Sequence, residues 1–462
     1  MQNDNRPFRR PGTRRTPAAW CVLSVIWWCA AGRATAAQEP GAPQMSPSSS
    51  TVPAARSTAS PVPGNTLWLS IRTFGSLEHD TATDPTSSAA AGVRTAPSSA
   101  GSQLEVSGAH RGNRQSYELQ GGSQFRGDQE HGGLAVDNQW LGATIRALAT
   151  RRTTLSASQR VAYTPLYSPG SVGGATAGSE PARGSASLSS LAVTSTAGVS
   201  TQISRATSAA LEYRFDRVSF SSVGSAVATH RASADVTRAI GRSLSLKLRY
   251  GYLWSVNAVH GERTSLPAHD GEVGLTYVPT SSAKATVSVG LTPNWTARPA
   301  QVSRSTTVAE LAGGGLVKVG GFSKVDYALS GTWRAGLGLQ RTLYFLPGYN
   351  QPVLADAFAG RVAGSLHRRL TGTLSAAYSR GTPGSERSLE RVTSASASAR
   401  LDFRTSKSAA LYAEYLGDAY DLSEDIPLLP GLERHSRRSA VRVGMTIDFG
   451  LTARSRAARQ EN

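Results

Sequence analysis

The stretch Ser439 to Phe449, SAVRVGMTIDF, limits what this chain can become more than any other. Val441, Val443, Met445, Ile447 and Phe449 fall on one face of an extended chain, and Arg442, Gly444, Thr446 and Asp448 on the other. A period of two means a β-strand between two unlike surroundings. In a sandwich the apolar face would meet a second sheet. In a closed barrel that crosses a bilayer it would meet lipid, and the polar face would meet a water-filled lumen.

The pattern recurs. Leu244, Leu246, Leu248, Tyr250, Tyr252 and Trp254 oppose Ser245, Lys247, Arg249, Gly251 and Ser255, with the aromatics gathered toward one end as in an interface girdle. Leu211, Tyr213 and Phe215 oppose Glu212, Arg214 and Asp216. Val287, Val289 and Leu291 oppose Lys284, Thr286, Ser288 and Gly290. Leu337 and Leu339 oppose Arg334, Gly336 and Gly338, and Leu401 and Phe403 oppose Arg400 and Asp402. His230 and Arg341 break the rule by sharing a face with apolar neighbours. They read as bulges or rim positions, or as a shift of register.

Short turns are expected near Arg111–Asn113, Arg151–Arg152, Arg205–Thr207, Gly241–Ser243, Pro279–Ser282, Ser330–Thr332, His367–Arg369 and Arg404–Lys407. Between them lie longer Gly, Pro, Ser and charged segments: Asp80 to Ala100, Ser168 to Ser187, Asn257 to His269, and Asp421 to Arg437. A strict alternation of short and long connections suits a barrel with short periplasmic turns and long outer loops better than a sandwich or propeller. The predicted strands are 65–74, 102–110, 115–125, 133–148, 153–166, 188–203, 208–218, 225–239, 243–256, 269–278, 283–293, 313–328, 333–345, 353–366, 370–380, 391–403, 408–420 and 438–449. The fold class is therefore all-β: a transmembrane antiparallel up-and-down β-barrel of about 18 strands, with 16 as the alternative count.

Residues 1–36 read as a signal peptide. Arg6, Arg9, Arg10, Arg14 and Arg15 precede an apolar core from Ala18 to Ala31, too short to span a bilayer, and Ala34-Thr35-Ala36 is an A-x-A cleavage site. Both cysteines, Cys21 and Cys29, lie in this leader, so the exported chain has no disulfide and no thiolate site. The formal charge is +18, and removing the leader's six Arg and one Asp leaves about +13. Such a charge suits anionic lipid head groups or anionic solutes, and export excludes nucleic acid as a partner. Residues 37–64 read as a disordered periplasmic linker, 65–450 as the barrel, and 451–462 as a basic C-terminal tail.

No sequence motif carries catalysis, a cofactor or a metal. G-x-S-x-G, H-E-x-x-H and the phosphate loop are absent, and Gly313-Gly314-Gly315 lacks the Lys and Ser/Thr that would follow in the last of these. That triplet reads as a strand kink. His79-Asp80 and His269-Asp270 are neighbours in sequence, but neighbours on an extended chain point to opposite sides, so neither is a dyad. A barrel hydrolase would need a Ser or Asp beside a rim His. No plug-sized segment precedes the first strand, which argues against a TonB-dependent transporter. The predicted pore-lining residues are Arg214, Lys247, Arg249, Lys284, Arg334, Arg400, Arg442, Glu212, Asp402 and Asp448, with Asp216, Glu272 and Glu414 beside them. Their basic excess predicts weak anion selectivity, unless the charges only pair with one another. Arg434, His435, Arg437 and Arg438 form a second basic group, suited to lipopolysaccharide phosphates.

The last strand is similar to the C-terminal assembly signal of bacterial outer-membrane barrels, carried here by Arg442, Gly444, Ile447 and Phe449. The segments TWRAGLGLQRTLYFLPG (Thr332 to Gly348), RRLTGTLSAAYSRG (Arg368 to Gly381) and LPGLERHSRRSAVRVGMTIDFG (Leu429 to Gly450) resemble a loosely defined group of uncharacterised, porin-like bacterial outer-membrane barrels. The resemblance covers about a third of the chain and implies a porin-like channel for passive passage of small hydrophilic solutes. It also implies outer-membrane lipids, lipopolysaccharide and the barrel-assembly machinery as partners. Some members of the group accompany exopolysaccharide export, so the alternative is a conduit for a secreted glycan with polysaccharide-export partners. The tail LTARSRAARQEN departs from the pattern, because such barrels usually stop at the terminal aromatic.

Overall fold

The computed structural model describes residues 64–81, 94–128, 133–164, 189–220, 224–259, 262–278, 285–296, 316–330, 332–345, 352–383, 391–423 and 434–450. The predicted signal peptide, the linker up to residue 63, Lys284, the Gly313–Gly315 triplet and the basic tail lie outside them.

Eighteen strands follow one another: β1 (Gly64–Thr81), β2 (Arg94–Arg111), β3 (Gln115–Asp128), β4 (Gly133–Leu148), β5 (Thr153–Thr164), β6 (Ser190–Gln202), β7 (Thr207–Phe220), β8 (Ser225–Ala239) and β9 (Leu244–Val259), then β10 (Glu262–Tyr277), β11 (Ala285–Thr296), β12 (Leu316–Ala328), β13 (Trp333–Phe345), β14 (Pro352–His367), β15 (Leu370–Pro383), β16 (Val392–Arg404), β17 (Ala409–Leu422) and β18 (His435–Gly450). Each pairs antiparallel with its neighbours in sequence, and β18 pairs with β1. The sheet is thus a closed up-and-down barrel of eighteen strands, and the count of sixteen is excluded. Even the shortest strands, β5 and β11 with 12 residues, are long enough to cross a membrane. At about 3.3 Å per residue they run about 40 Å, which at a tilt near 40° spans more than an apolar band of about 25 Å.

The wall is apolar outside and polar inside, the inverse of a soluble fold. Forty-three large apolar side chains are exposed among the described residues, whereas thirteen apolar and sixteen polar ones are buried. Within β15 the alternation is direct: Leu374 and Tyr378 are 57% and 48% exposed, and Ser375 and Ser379 only 3% and 1%. The concave face crowds its side chains, so small hydroxyls suit it. Ser375 and Ser398 share a hydrogen bond at 2.6 Å, and Ser379 and Ser394 share one at 2.8 Å. So much exposed apolar surface is far more than a water-facing monomer carries.

The sequence-based strand set needs three corrections. Asn257 to His269 is not a loop, because β9 runs to Val259 and β10 starts at Glu262. Pro267 lies where β10 pairs only with β9, and an edge position tolerates its missing N–H. Likewise β1 and β2 extend to Thr81 and from Arg94, with Pro97 absorbed where the register shifts between Ser76 and Glu78. The alternation of connections is looser than predicted, since β7 and β8 are separated only by residues 221–224 at the loop end. There Gly224 has φ of 61°, a backbone state that side chains resist.

Several strand glycines make room for rings. Phe74 on β1 stands opposite Gly101 on β2, and Tyr412 on β17 opposite Gly444 on β18. A Cβ at Gly101 would strike the Phe74 ring, and one at Gly444 would strike the backbone at Thr73 and Phe74 and the Tyr412 ring. Gly75, by contrast, has open space around it. Gly444→Val is therefore expected to cost about 1–3 kcal/mol, read as a lower urea midpoint for the refolded barrel. Gly75→Val is expected to leave that midpoint unchanged.

Candidate functional site

The inner wall divides into two arcs of different chemistry. In the first, from β7 to β12, cations meet acids. Arg214 donates from Nε to Asp216 Oδ2 at 2.6 Å and from Nη2 to Oδ1 at 3.0 Å, and Thr194 donates to the same carboxylate at 2.8 Å. Lys247 Nζ lies 3.1 Å from Glu272 and 3.6 Å from Asp235, and Arg249 Nε lies 3.5 Å from Asp235. Lys324 pairs with Asp326 at 2.7 Å. Asp270 on β10 forms an ion pair with Arg231 on β8, two strands away. Gly251 on the intervening β9 permits this, since a Cβ there would collide with the Asp270 carboxylate.

In the second arc, β16 to β18 and on through β1 to β5, arginines lie over rings. Arg400 sits 4.3 Å from the Tyr412 ring centroid, and Arg72 approaches the same ring at 5.5 Å. Arg442 covers Phe74 at 5.2 Å, and Arg160 covers Trp140 at 5.0 Å. Guanidinium–ring contacts of this kind hold the cation without cancelling its charge. Arg72 also donates to Gln103 Oε1 at 3.1 Å. Arg400 combines stacking with close acids, at 2.7 Å from Asp402 and 3.8 Å from Glu414. The side chains of Arg400 and Glu414 are only 8% and 13% exposed, so water screens this pair weakly.

The predicted residues Arg214, Lys247, Arg249, Arg400, Arg442, Glu212 and Asp402 all stand on the inward face. Arg334 is inward and exposed near the turn end. Asp448 is also at the turn end, where its backbone N–H donates to the Ser408 carbonyl at 2.7 Å. The group Arg434, His435, Arg437 and Arg438 is dispersed by the period of two. Arg434 donates to the Ser423 carbonyl at 2.7 Å, His435 lies 2.6 Å from Asp421, and Arg437 and Arg438 fall on opposite faces.

Sequence reasoning missed Arg72, Arg160 and Arg231, and the inward rings Phe74, Tyr412 and Trp140. The arginines were findable, since Arg72 alternates with Leu69, Ile71 and Thr73. The rings were not, because an aromatic carries no sign of which face it takes.

The two irregular residues have plain explanations. His230 lies outside among aromatics, stacked on Trp254 at 5.2 Å and sharing a 2.7 Å hydrogen bond with Tyr213. His269 does the same with Tyr250 at 2.8 Å, while its neighbour Asp270 points inward. Arg341 is not at a bulge; it faces outward and pairs with Asp356 at 3.4 Å.

No family model matches the chain, and no curated protein matches it. Among solved structures, the siderophore receptor PirA of Acinetobacter baumannii aligns over 85% of this chain and 81% of its own, at 8% identity and a TM-score of 0.41. OpdL of Pseudomonas aeruginosa aligns over 84% and 99% at 11% identity and 0.39, and OpdQ of the same organism over 84% and 98% at 7% and 0.41. Likeness at this level says nothing about cargo.

Arg400→Met would remove the cation that Asp402 and Glu414 share on the inner wall and is expected to cost about 3 kcal/mol. The triple variant with Asp402→Asn and Glu414→Gln should regain most of that, and urea unfolding of the set checks it.

Proposed function

We propose that the protein is an outer-membrane β-barrel channel, delivered by a cleaved signal peptide, through which small hydrophilic solutes pass passively. The observation that carries this reading is the closed eighteen-strand wall with apolar side chains outside and ion pairs, hydroxyls and arginines inside. Strand ladders leave no unpaired edge only when they close, and rings of sixteen to eighteen strands leave an aqueous channel. Lipopolysaccharide and the barrel-assembly machinery are the partners this reading implies, and no catalytic role is assigned.

A mild preference for anions is part of the proposal. It is supported by the guanidiniums that lie over rings on the inner wall, those of Arg72, Arg160 and Arg442. Export of a glycan is the second reading. The inner rings best placed to stack on sugars, Phe74, Tyr412 and Trp140, already carry guanidiniums, and this favours small solutes.

Purified protein in planar bilayers is expected to give ohmic conductance with a reversal potential on the anion side under a KCl gradient. Arg72→Gln with Arg442→Gln should move that potential toward the cation side. Absence of conductance would overturn the channel, and cation preference in the unaltered protein would overturn the selectivity.

A further inference from the structure

The short turns at one end of the barrel carry a charge that their geometry does not call for. Between β4 and β5 the Thr150 N–H donates to the Thr153 carbonyl at 3.3 Å across Arg151-Arg152, and between β14 and β15 His367 stands opposite Leu370 across Arg368-Arg369. Two-residue hairpin turns ordinarily select Asn and Gly. Two arginines in such a turn run against that selection. Three longer turns repeat one hydrogen-bond pattern. The N–H groups of Ile203 and Ser204 donate to the Thr207 carbonyl, those of Ile240 and Gly241 to that of Leu244, and those of Thr405 and Ser406 to that of Ala409. Each places a cation at its third residue: Arg205, Arg242 and Lys407. Arg114 sits in the turn between β2 and β3.

All of these cations are exposed, and none of these turns contains an acid. Among the described residues none of the turn cations is in an ion pair, whereas Arg214, Lys247, Lys324 and Arg400 on the inner wall each lie beside a carboxylate. Of the described turns only Ser330–Thr332, between β12 and β13, has no cation. The charge therefore runs round the rim and does not gather on one side. Aliphatic side chains set its level. Ile203, Ile240 and Leu366 are each more than half exposed, and Arg205, Arg242 and Arg368 follow two residues later. An aliphatic group in hydrocarbon with a guanidinium just beyond it suits the boundary between acyl chains and head groups.

We propose that this rim binds the phosphates of anionic phospholipids in the periplasmic leaflet. The inference rests on the outer-membrane reading, which puts the short turns in the periplasm, and adds to it a lipid class and a leaflet. One acidic protein docked beside the barrel would meet one sector of the rim. Lipid surrounds a barrel, as these cations do. Each basic residue beside an anionic leaflet adds to the attraction, and salt screens it.

The test uses the full chain reconstituted in phosphatidylcholine vesicles. The probes are spin-labelled phosphatidylglycerol and spin-labelled phosphatidylcholine, and the readout is the fraction of each immobilised at the barrel wall. Phosphatidylglycerol is expected to associate about threefold more strongly at low salt, and about equally in roughly 1 M NaCl. Gln in place of every turn cation is expected to bring the low-salt ratio to about one, and Lys in place of each turn arginine to keep it near three. Arg72→Gln with Arg442→Gln, which alters only the lumen, should leave the ratio unchanged. Equal association with the unaltered protein overturns the proposal. So does a preference that survives salt or the Gln variant, or that moves with the lumen variant. The salt arm needs no variant and decides the matter even where the Gln chain does not refold. Soluble polyglutamate probes the competing occupant. Binding to the rim that is as strong in vesicles rich in phosphatidylglycerol as in phosphatidylcholine alone would mean the cations stand open to an acidic protein, and would overturn lipid occupancy. Loss of KCl conductance with the lipid preference intact would instead sink the channel reading and leave the rim standing.

Discussion

Everything in this structure depends on the ladder having no free edge. Lipid offers no hydrogen bonds, so a strand that crosses it must satisfy every backbone N–H and C=O within the wall. The fourteen-residue register from Trp68–Gly450 to Thr81–Arg437 does this at the seam between first and last strands. It also gives the terminal motif a physical role. Ile447 stands opposite Ile71 and Phe449 opposite Leu69 on the lipid side, while Gly444 clears space for the backbone at Phe74. The features that make the last strand resemble an assembly signal are those that let it lie flush against the first.

Closure dictates what the inner face can hold. Its concavity favours small hydroxyls over large apolar groups, hence the serine pairs between β15 and β16. Four inward rings have a glycine opposite, Gly101 for Phe74, Gly444 for Tyr412, Gly122 for Trp140 and Gly290 for Phe322, while Phe220 and Tyr420 face serines. The missing Cβ lets the ring lie along the wall and leaves the lumen clear. Rings held flat then serve as platforms for guanidiniums.

Strand number and order were legible in the sequence because lipid outside and water inside impose the same period on every strand. Strands 133–148, 225–239 and 333–345 agree with the structure to the residue. Legibility failed at the loop ends, where the wall rises beyond the apolar band and the period weakens. It failed over Asp80–Ala100 and Asn257–His269, expected to be loops, whose prolines Pro97 and Pro267 occupy an irregular and an edge position of strands. For the inner wall, the face of each charge was readable and its partner was not. Asp270 reaches Arg231 across a whole strand, and nothing local to either residue announces that contact.

One local signal recurs on both arcs. Arg214-Phe215-Asp216, Lys324-Val325-Asp326 and Arg400-Leu401-Asp402 repeat a cation, an apolar residue and an acid. Period two puts cation and acid on the same inward face, two residues apart, so their pairing needs no neighbouring strand. Arg72, Arg160 and Arg442 have no acid two residues away on their own strands; each lies over a ring, and Glu414 on the neighbouring strand stands opposite Arg442. A carboxylate at hydrogen-bond distance cancels most of a cation's distant field. The polarity of the wall is thus set by where each cation finds its acid, two residues along its own strand as in these three repeats, or across the ladder as Arg231 finds Asp270.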